Sequence, residues 1–347
     1  MINSLRLQNF RSYKDSPFEF SDEVNIVVGL NASGKTNLLE AILVLATGRS
    51  YRARMPQLVR LGKNWARLDA TTKTSPRTLK ITEAQPEFTI GGKIYKRLPA
   101  TQNLPVILFE PGHLQLASGE PARRRDWLDE LIAAIDPSFK KSLAAYHRSL
   151  SQRNALLKRT RGEIGRQMFA WDVRLSELAG TIALARAQII ESLNKNITKP
   201  YSHIAGHRQL VAASYQSQFN PSVYSSKMLA KLGASLEMDI ARGFTSTGPH
   251  REDIIFYLNG QPIVTSGSRG ETRSLIIALK ILERQFIEQA SQTKPILLLD
   301  DVFSELDGKR RHALVDYLAG YQTIITTTDA DSINQFFTKK HNLITLT

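Results

Sequence analysis

The sequence predicts an α/β fold in which two sheet-bearing halves, one at each end of the chain, are separated by an inserted α-helical lobe. Three observations carry this. The apolar run 24–28 feeds the glycine-rich turn Gly29-Leu30-Asn31-Ala32-Ser33-Gly34-Lys35-Thr36, which opens into the helix-forming stretch 37–43. Residues 296–301 are an unbroken aliphatic run ending in Asp300 and Asp301, the pattern of a parallel strand buried on both faces. Between 121 and 199 apolar residues recur three or four apart, as at Leu143, Tyr146, Leu150 and Leu157, the spacing of amphipathic helix.

The first of these elements is a phosphate loop. A strand running through a glycine turn into a helix N-terminus gathers backbone N–H groups and the positive end of the helix dipole into one anion site. Gly29 and Gly34 let the backbone approach phosphates, Lys35 reaches the β- and γ-phosphates, and the Thr36 hydroxyl faces Mg²⁺. A chance glycine turn would not bring both flanking elements with it. A nucleoside triphosphate is the expected ligand of residues 29–36.

Composition narrows the class. The chain has 347 residues and no cysteine, which excludes a disulfide framework, a thiol nucleophile and a cysteine zinc site. Its opening residues alternate like a strand rather than a signal peptide, and no apolar run approaches the ~20 residues of a membrane span. A cytoplasmic protein with no membrane partner is the plain expectation. The formal charge of +14 is concentrated. Residues 49–80 hold nine Lys or Arg against Asp69 alone, and residues 121–199 hold fifteen against eight acids. Such a basic face suits a polyanion; the plainer alternative is a solvated helical surface.

Along the chain, strands are expected at 2–7, 18–20 and 24–28, with a turn across 11–17, and strand-like pieces at 79–82, 88–90 and 105–109. Helix fills 121–199, starting afresh at Asp136-Pro137 and breaking near 160–166. Residues 200–240 give no clear signal. A hairpin turns at Asn259-Gly260 within 253–264. Helix 269–289, strand 295–299, helix 309–319, strand 323–327 and a short terminal helix and strand complete the chain. The expected divisions are 1–120, 121–240 and 241–347, the first and last forming the nucleotide-binding head.

Asp300, at the C-terminal end of its strand, is the expected Mg²⁺ partner, and Asp301 is placed to orient or deprotonate water. Residues 266–271, Ser266-Gly267-Ser268-Arg269-Gly270-Glu271, open a helix. Read alone they are an ordinary capping box of Ser268 and Glu271. In this order before the Asp pair, they resemble the signature of ABC ATPases, and Ser304-Glu305-Leu306-Asp307 resembles their D-loop. The resemblance implies an ABC-type P-loop ATPase head in which Ser268 and Gly270 clasp the γ-phosphate held by another subunit. Asp301 stands where most ABC ATPases carry Glu, and Thr328 stands near the place of their switch histidine; both suggest slow hydrolysis. No conventional Q-loop glutamine is evident, and Phe109-Glu110-Pro111 falls in its place.

The chain further resembles the RecF family of bacterial recombination-repair proteins, nearly end to end. The runs that carry this are 5–13, 37–42, 45–52, 119–129, 152–158, 248–253 and 300–307, among them Gly119-Glu120-Pro121-Ala122-Arg123-Arg124-Arg125 and Gly248-Pro249-His250-Arg251-Glu252-Asp253. The resemblance implies ATP and Mg²⁺ as cofactors, an ATP-dependent homodimer, and a weak DNA-stimulated ATPase acting as a switch. It also implies binding to single-stranded or gapped DNA, RecR and RecO as partners, and a role in loading RecA, replication restart and the SOS response. The rival reading is the ATPase subunit of an ABC transporter, opposed by the long insert, the basic face and the missing histidine. A structural-maintenance clamp would need a long coiled coil, and a small-molecule kinase would leave Ser268 without a purpose. Candidate DNA contacts are Arg49, Arg52 and Arg54, with Tyr51 among them, and Arg123, Arg124 and Arg125. Most histidines and Trp127 and Trp171 read as packing residues; His250 either serves the site or braces a turn.

Overall fold

A computed structural model describes the chain except for residues 159–164, 330–335, 338–340 and 347. The chain forms two compact units, residues 1–114 with 283–347, and residues 115–282.

In the N-terminal part, β1 (Ile2–Phe10) and β2 (Tyr13–Glu19) form a hairpin closed by Arg11 and Ser12. The turn is shorter than the expected 11–17. As an edge strand β2 tolerates Pro17 and exposed Lys14 and Asp15, which hide it in the sequence. Then come β3 (Val24–Val28), α1 (Lys35–Thr47), β4 (Trp65–Thr72), β5 (Arg77–Thr82), β6 (Pro86–Ile90), β7 (Lys93–Tyr95) and β8 (Val106–Phe109).

The second unit runs through α2 (Pro121–Ile135), α3 (Pro137–Leu157), α4 (Gly165–Asn196) and α5 (Thr198–Ala205) to β9 (Val211–Gln216), α6 (Tyr224–Ala234) and α7 (Leu236–Arg242). The hairpin β10 (Asp253–Leu258) and β11 (Gln261–Pro262) follows, then the short α8 (Ile263–Ser266) and α9 (Arg269–Ser291). Asp136 caps α3, accepting from the Ser138 N–H at 2.7 Å with Pro137 first in the helix. Asn259 and Gly260 have φ of 49° and 81°, as a tight hairpin turn requires. The chain ends in β12 (Ile296–Asp300), α10 (Gly308–Leu318), β13 (Thr323–Thr327) and β14 (Asn342–Thr345). The expected helix break and the terminal helix lie mostly outside the described residues.

The unit boundaries correct one expectation. The first division falls near 120, but the second lies inside α9, at 282/283, not at 240/241. Strand pairing explains this: β10 pairs antiparallel with β9, from Asp253↔Gln216 to Leu258↔Val211. That ladder holds the hairpin and the start of α9 with the helices.

In the first unit, an antiparallel sheet of order β2-β1-β4-β5-β6-β7 and a parallel sheet of order β14-β3-β13-β12-β8 enclose α1. Leu38, Leu39, Ala41, Ile42, Val44 and Leu45 share one core with Leu7, Leu68 and Leu79 of the first sheet and Val27, Leu298 and Ile324 of the second. A helix apolar nearly all round is what such a sandwiched position requires. Gln322, 1% exposed, joins the sheets by accepting from the Ile2 N–H at 2.8 Å and donating to the Ile2 carbonyl at 2.7 Å.

In the second unit the basic residues are partly interior. Arg153, fully buried, donates to Asp172 at 2.6 Å and to Asp239 at 2.8 Å; Arg186 forks onto Asp129 at 2.9 and 2.8 Å. Glu252, 2% exposed, accepts from Tyr215, from Tyr224 at 2.7 Å and from the Gln218 N–H at 2.8 Å. His250 braces this region. Its Nδ1 lies 2.6 Å from the Tyr146 hydroxyl and its Nε2 lies 3.2 Å from the Thr245 carbonyl.

Burial lowers the His250 pKa to about 4. Protons therefore bind the unfolded chain first, so His250 protonation costs stability as pH falls from its ordinary value near 6.5 to about 4. The full effect is on the order of 3 kcal/mol. Urea unfolding of the wild type should lose stability across that window, and His250→Gln should flatten the slope. A slope unchanged by the substitution would show that His250 titrates normally.

Candidate functional site

The phosphate loop lies between β3 and α1, in the first unit. Its curl needs left-handed backbone at Ala32 and Gly34, with φ of 68° and 104°. Gly29 donates its N–H to Thr327 at 3.3 Å, and Ser33 to the Leu30 carbonyl at 3.2 Å. A Cβ on Gly29 would fall 2.4 Å from Ser33 Oγ, and one on Gly34 would fall 2.8 Å from Ser12 Oγ. Inside the loop, Lys35 is 8% exposed and its Nζ donates to the carbonyls of Gly29 at 2.6 Å and Leu30 at 2.8 Å. Leu30 is 81% exposed.

The order β3-β13-β12 brings the loop to the same sheet end as the Asp pair. Thr36 Oγ1 donates to Asp300 Oδ1 at 3.1 Å, and Thr326 Oγ1 donates to the same oxygen at 2.7 Å. Asp301 has φ 49°, fixed by its N–H donating to Thr326 Oγ1 at 3.0 Å and the Thr326 carbonyl at 3.2 Å. Burial, with the negative charge of Asp300 adding to it, raises the Asp301 pKa. Asp301 Oδ1 and Ser33 Oγ are both buried with no hydrogen-bond partner among the described residues. Thr328 follows β13 and is exposed. On the other side of β12, β8 pairs Phe109 with Leu299, so Glu110 leaves the sheet at the same end as Asp300.

A layer of side chains behind the loop went unrecognised in the sequence. Tyr13 donates its hydroxyl to the Gly34 carbonyl at 3.0 Å, and Asn37 Nδ2 donates to Ser12 Oγ at 3.0 Å. Glu40, with no exposed surface, takes both guanidinium bonds of Arg11 at 2.8 and 2.9 Å and the Ser50 hydroxyl at 2.5 Å. A glutamate on the apolar face of α1 was the available signal, since such a carboxylate needs a partner.

Ser268 and Gly270 stand at the start of α9, in the second unit. Ser268 donates its N–H and its hydroxyl to Glu271 at 2.8 Å each, and Glu271 N–H returns to Ser268 Oγ at 3.2 Å. This is the capping box, and these bonds hold the Glu271 pKa down.

Arg49, Arg52 and Arg54 are all exposed, on the segment after α1. Arg123 is exposed at the start of α2. Arg124 is withdrawn as a DNA contact: it is 7% exposed, forks onto Asp253 at 2.8 Å twice and donates to the Gly119 carbonyl at 2.6 Å. Arg125 is half-buried and donates to the Glu252 carbonyl at 2.8 Å, so it too is chiefly structural. Tyr51 likewise turns inward, its hydroxyl buried.

A family model described as an AAA domain matches residues 4–96. The DNA replication and repair protein RecF of Bacillus subtilis (strain 168) is 34% identical over 353 residues, spanning 96% of this chain and 94% of that protein. A solved structure of the recombination mediator protein RecF-ATP in the RecFOR pathway matches with TM-score 0.85 and 29% identity, over 94% of this chain and 92% of that one. An Smc head bound to the C-winged helix domain of ScpA shares the fold alone, with TM-score 0.54 at 14% identity over 96% of this chain and 91% of that one. Fold and site together define an ABC-type P-loop ATPase head. Within that class, the chain belongs to the RecF family of DNA replication and repair proteins.

Gly34→Ala should disrupt the site. The added carbon meets Ser12 and Tyr13 and must adopt a left-handed backbone, a strain of about 1–3 kcal/mol. Chemical denaturation should read that loss, and nucleotide affinity should fall with it. An unchanged unfolding midpoint would show that the loop relaxes freely.

Proposed function

We propose that this chain is an ATP-switched, DNA-binding protein of recombinational repair. In this reading it dimerises on ATP and Mg²⁺, binds single-stranded or gapped DNA, and helps load RecA together with RecO and RecR. The observation that carries the nucleotide reading is the cluster of Lys35, Thr36 and Asp300 within the curled loop. The orphaned oxygens of Ser33 and Asp301 suit it further, since buried polar atoms without partners are rare outside functional sites.

Each residue has a role in this reading. The Lys35 ammonium exchanges its two loop carbonyls for phosphate oxygens, while the backbone N–H groups of 29–36 bind the remainder. Thr36 and Asp300, 3.1 Å apart, would hold the cation, which would supply positive charge against the phosphates. Asp301 Oδ1, buried and without a hydrogen-bond partner among the described residues, accepts a hydrogen bond from the attacking water. Thr326 orients the Asp pair. A short carboxylate without a histidine suits a slow timer better than a fast engine.

The second half of the site comes from another copy. Ser268 and Gly270 present a capped helix N-terminus, whose free N–H groups and dipole suit the γ-phosphate. The chain then works as a cytoplasmic switch, closed with ATP and reopened by hydrolysis.

Sedimentation with ATP, with ADP and without nucleotide tests this. Lys35→Met should lose ATP binding. Ser268→Arg should bind ATP but remain monomeric, because its bulk fills the helix N-terminus. Asp301→Asn should accumulate an ATP-bound dimer. The same oligomeric state in all samples would exclude the switch.

DNA binding is tested by salt. Affinity for duplex junctions should fall steeply, roughly 0.9 in logarithmic slope per neutralised phosphate. Reversing Arg49, Arg52 and Arg54 to Glu should weaken binding and flatten that slope while ATP still binds. Unaltered DNA affinity would leave these arginines as a merely solvated surface.

A further inference from the structure

Tyr51 has no role in the site described so far, yet its placement calls for one. The chain leaves α1 at Gly48 with φ 72° and doubles back along the helix. Ser50 fixes the return: it donates its hydroxyl to Glu40 at 2.5 Å and accepts the N–H groups of Arg52 at 2.9 Å and Ala53 at 3.0 Å. Between these anchors Tyr51 turns inward while Arg49 and Arg52 face solvent. Its hydroxyl is buried and has no hydrogen-bond partner among the described residues. The charged groups acting on it are the carboxylates of Glu110, Asp300 and Glu40, with Arg52 opposing them. Burial first, and then those carboxylates, raise its pKa well above that of an ordinary phenol, so it remains a hydrogen-bond donor at neutral pH.

A buried phenol without a partner leaves a donor's desolvation uncompensated. Packing alone would be served equally well by phenylalanine. The two carboxylates that act on the hydroxyl, apart from the Glu40 pairing, leave the parallel sheet at the end that carries the phosphate loop.

We propose that Tyr51 is a positioning residue for the nucleotide-bound cation, donating its hydroxyl hydrogen to a cation-bound water that Asp300 and Glu110 also contact. The inference rests on the ATP–Mg²⁺ reading above.

Tyr51→Phe keeps the ring and removes only the donor. ATP affinity is measured in EDTA and across a Mg²⁺ titration, and Mn²⁺ binding to the ATP-loaded protein is followed by electron paramagnetic resonance. The expected result is unchanged affinity in EDTA and about tenfold weaker cation binding, the lower end of what an outer hydrogen bond to a metal site contributes. Equal cation affinity in wild type and Tyr51→Phe would overturn the inference and leave the ATP reading standing. Equal losses with and without cation would also overturn it, assigning Tyr51 to packing. A wild-type protein that binds no ATP with Mg²⁺ would overturn both.

Discussion

The Glu40 carboxylate, on α1 and without exposed surface, is the constraint on which the first unit turns. An unpaired charge there would cost several kcal/mol. It is met by the Arg11 fork from the β1–β2 turn and by Ser50 from the returning segment. One buried anion thus ties together the turn of the first hairpin, the phosphate-loop helix and the segment that returns from it at Ser50. The hydroxyls beside it, Tyr13 on Gly34 and Ser12 on Asn37, transmit the same restraint to the loop. The six-stranded sheet is in this sense a backing plate for the phosphate site.

The net charge has a different meaning in each unit. In the second unit Arg124, Arg153 and Arg186 are interior groups paired with Asp253, Asp172, Asp239 and Asp129. They specify how helices and strands meet, and they contribute no field to a ligand. In the first unit Arg49, Arg52 and Arg54 point outward, although Arg67 is paired with Asp69 and Arg77 is buried. The basic excess is real, but the surface that can meet a polyanion is narrower than charge counting implies.

The Asp pair shows backbone geometry selecting chemistry. Asp301 has a left-handed backbone, which Asp tolerates better than longer side chains because its carboxylate can bond locally. An aspartate in place of the glutamate of most ABC ATPases is therefore consistent with the turn itself. Thr326 holds that turn from β13 and also bonds Asp300. The neighbouring strand thus supplies the one hydroxyl that meets both aspartates.

Sequence alone determined the local parts of this protein: the phosphate loop, the aliphatic strand with its two aspartates, the Asp136 helix start, the Asn259-Gly260 turn and the Ser268 cap. Each is written in adjacent residues whose backbone demands are short-range, so spacing suffices to read it. What only the tertiary structure decided depends on partners far along the chain. The ladder between β9 and β10 moved a domain boundary from 240 to 282, because a short strand such as 211–216 has meaning only beside its neighbour. Exposed-looking arginines at 124 and 153 became core groups because aspartates at 253, 172 and 239 fold onto them. Thr326 bonds the Asp pair and Glu40 backs the loop for the same reason. Burial and the direction of a side chain are set by long-range packing, which periodicity and composition do not encode.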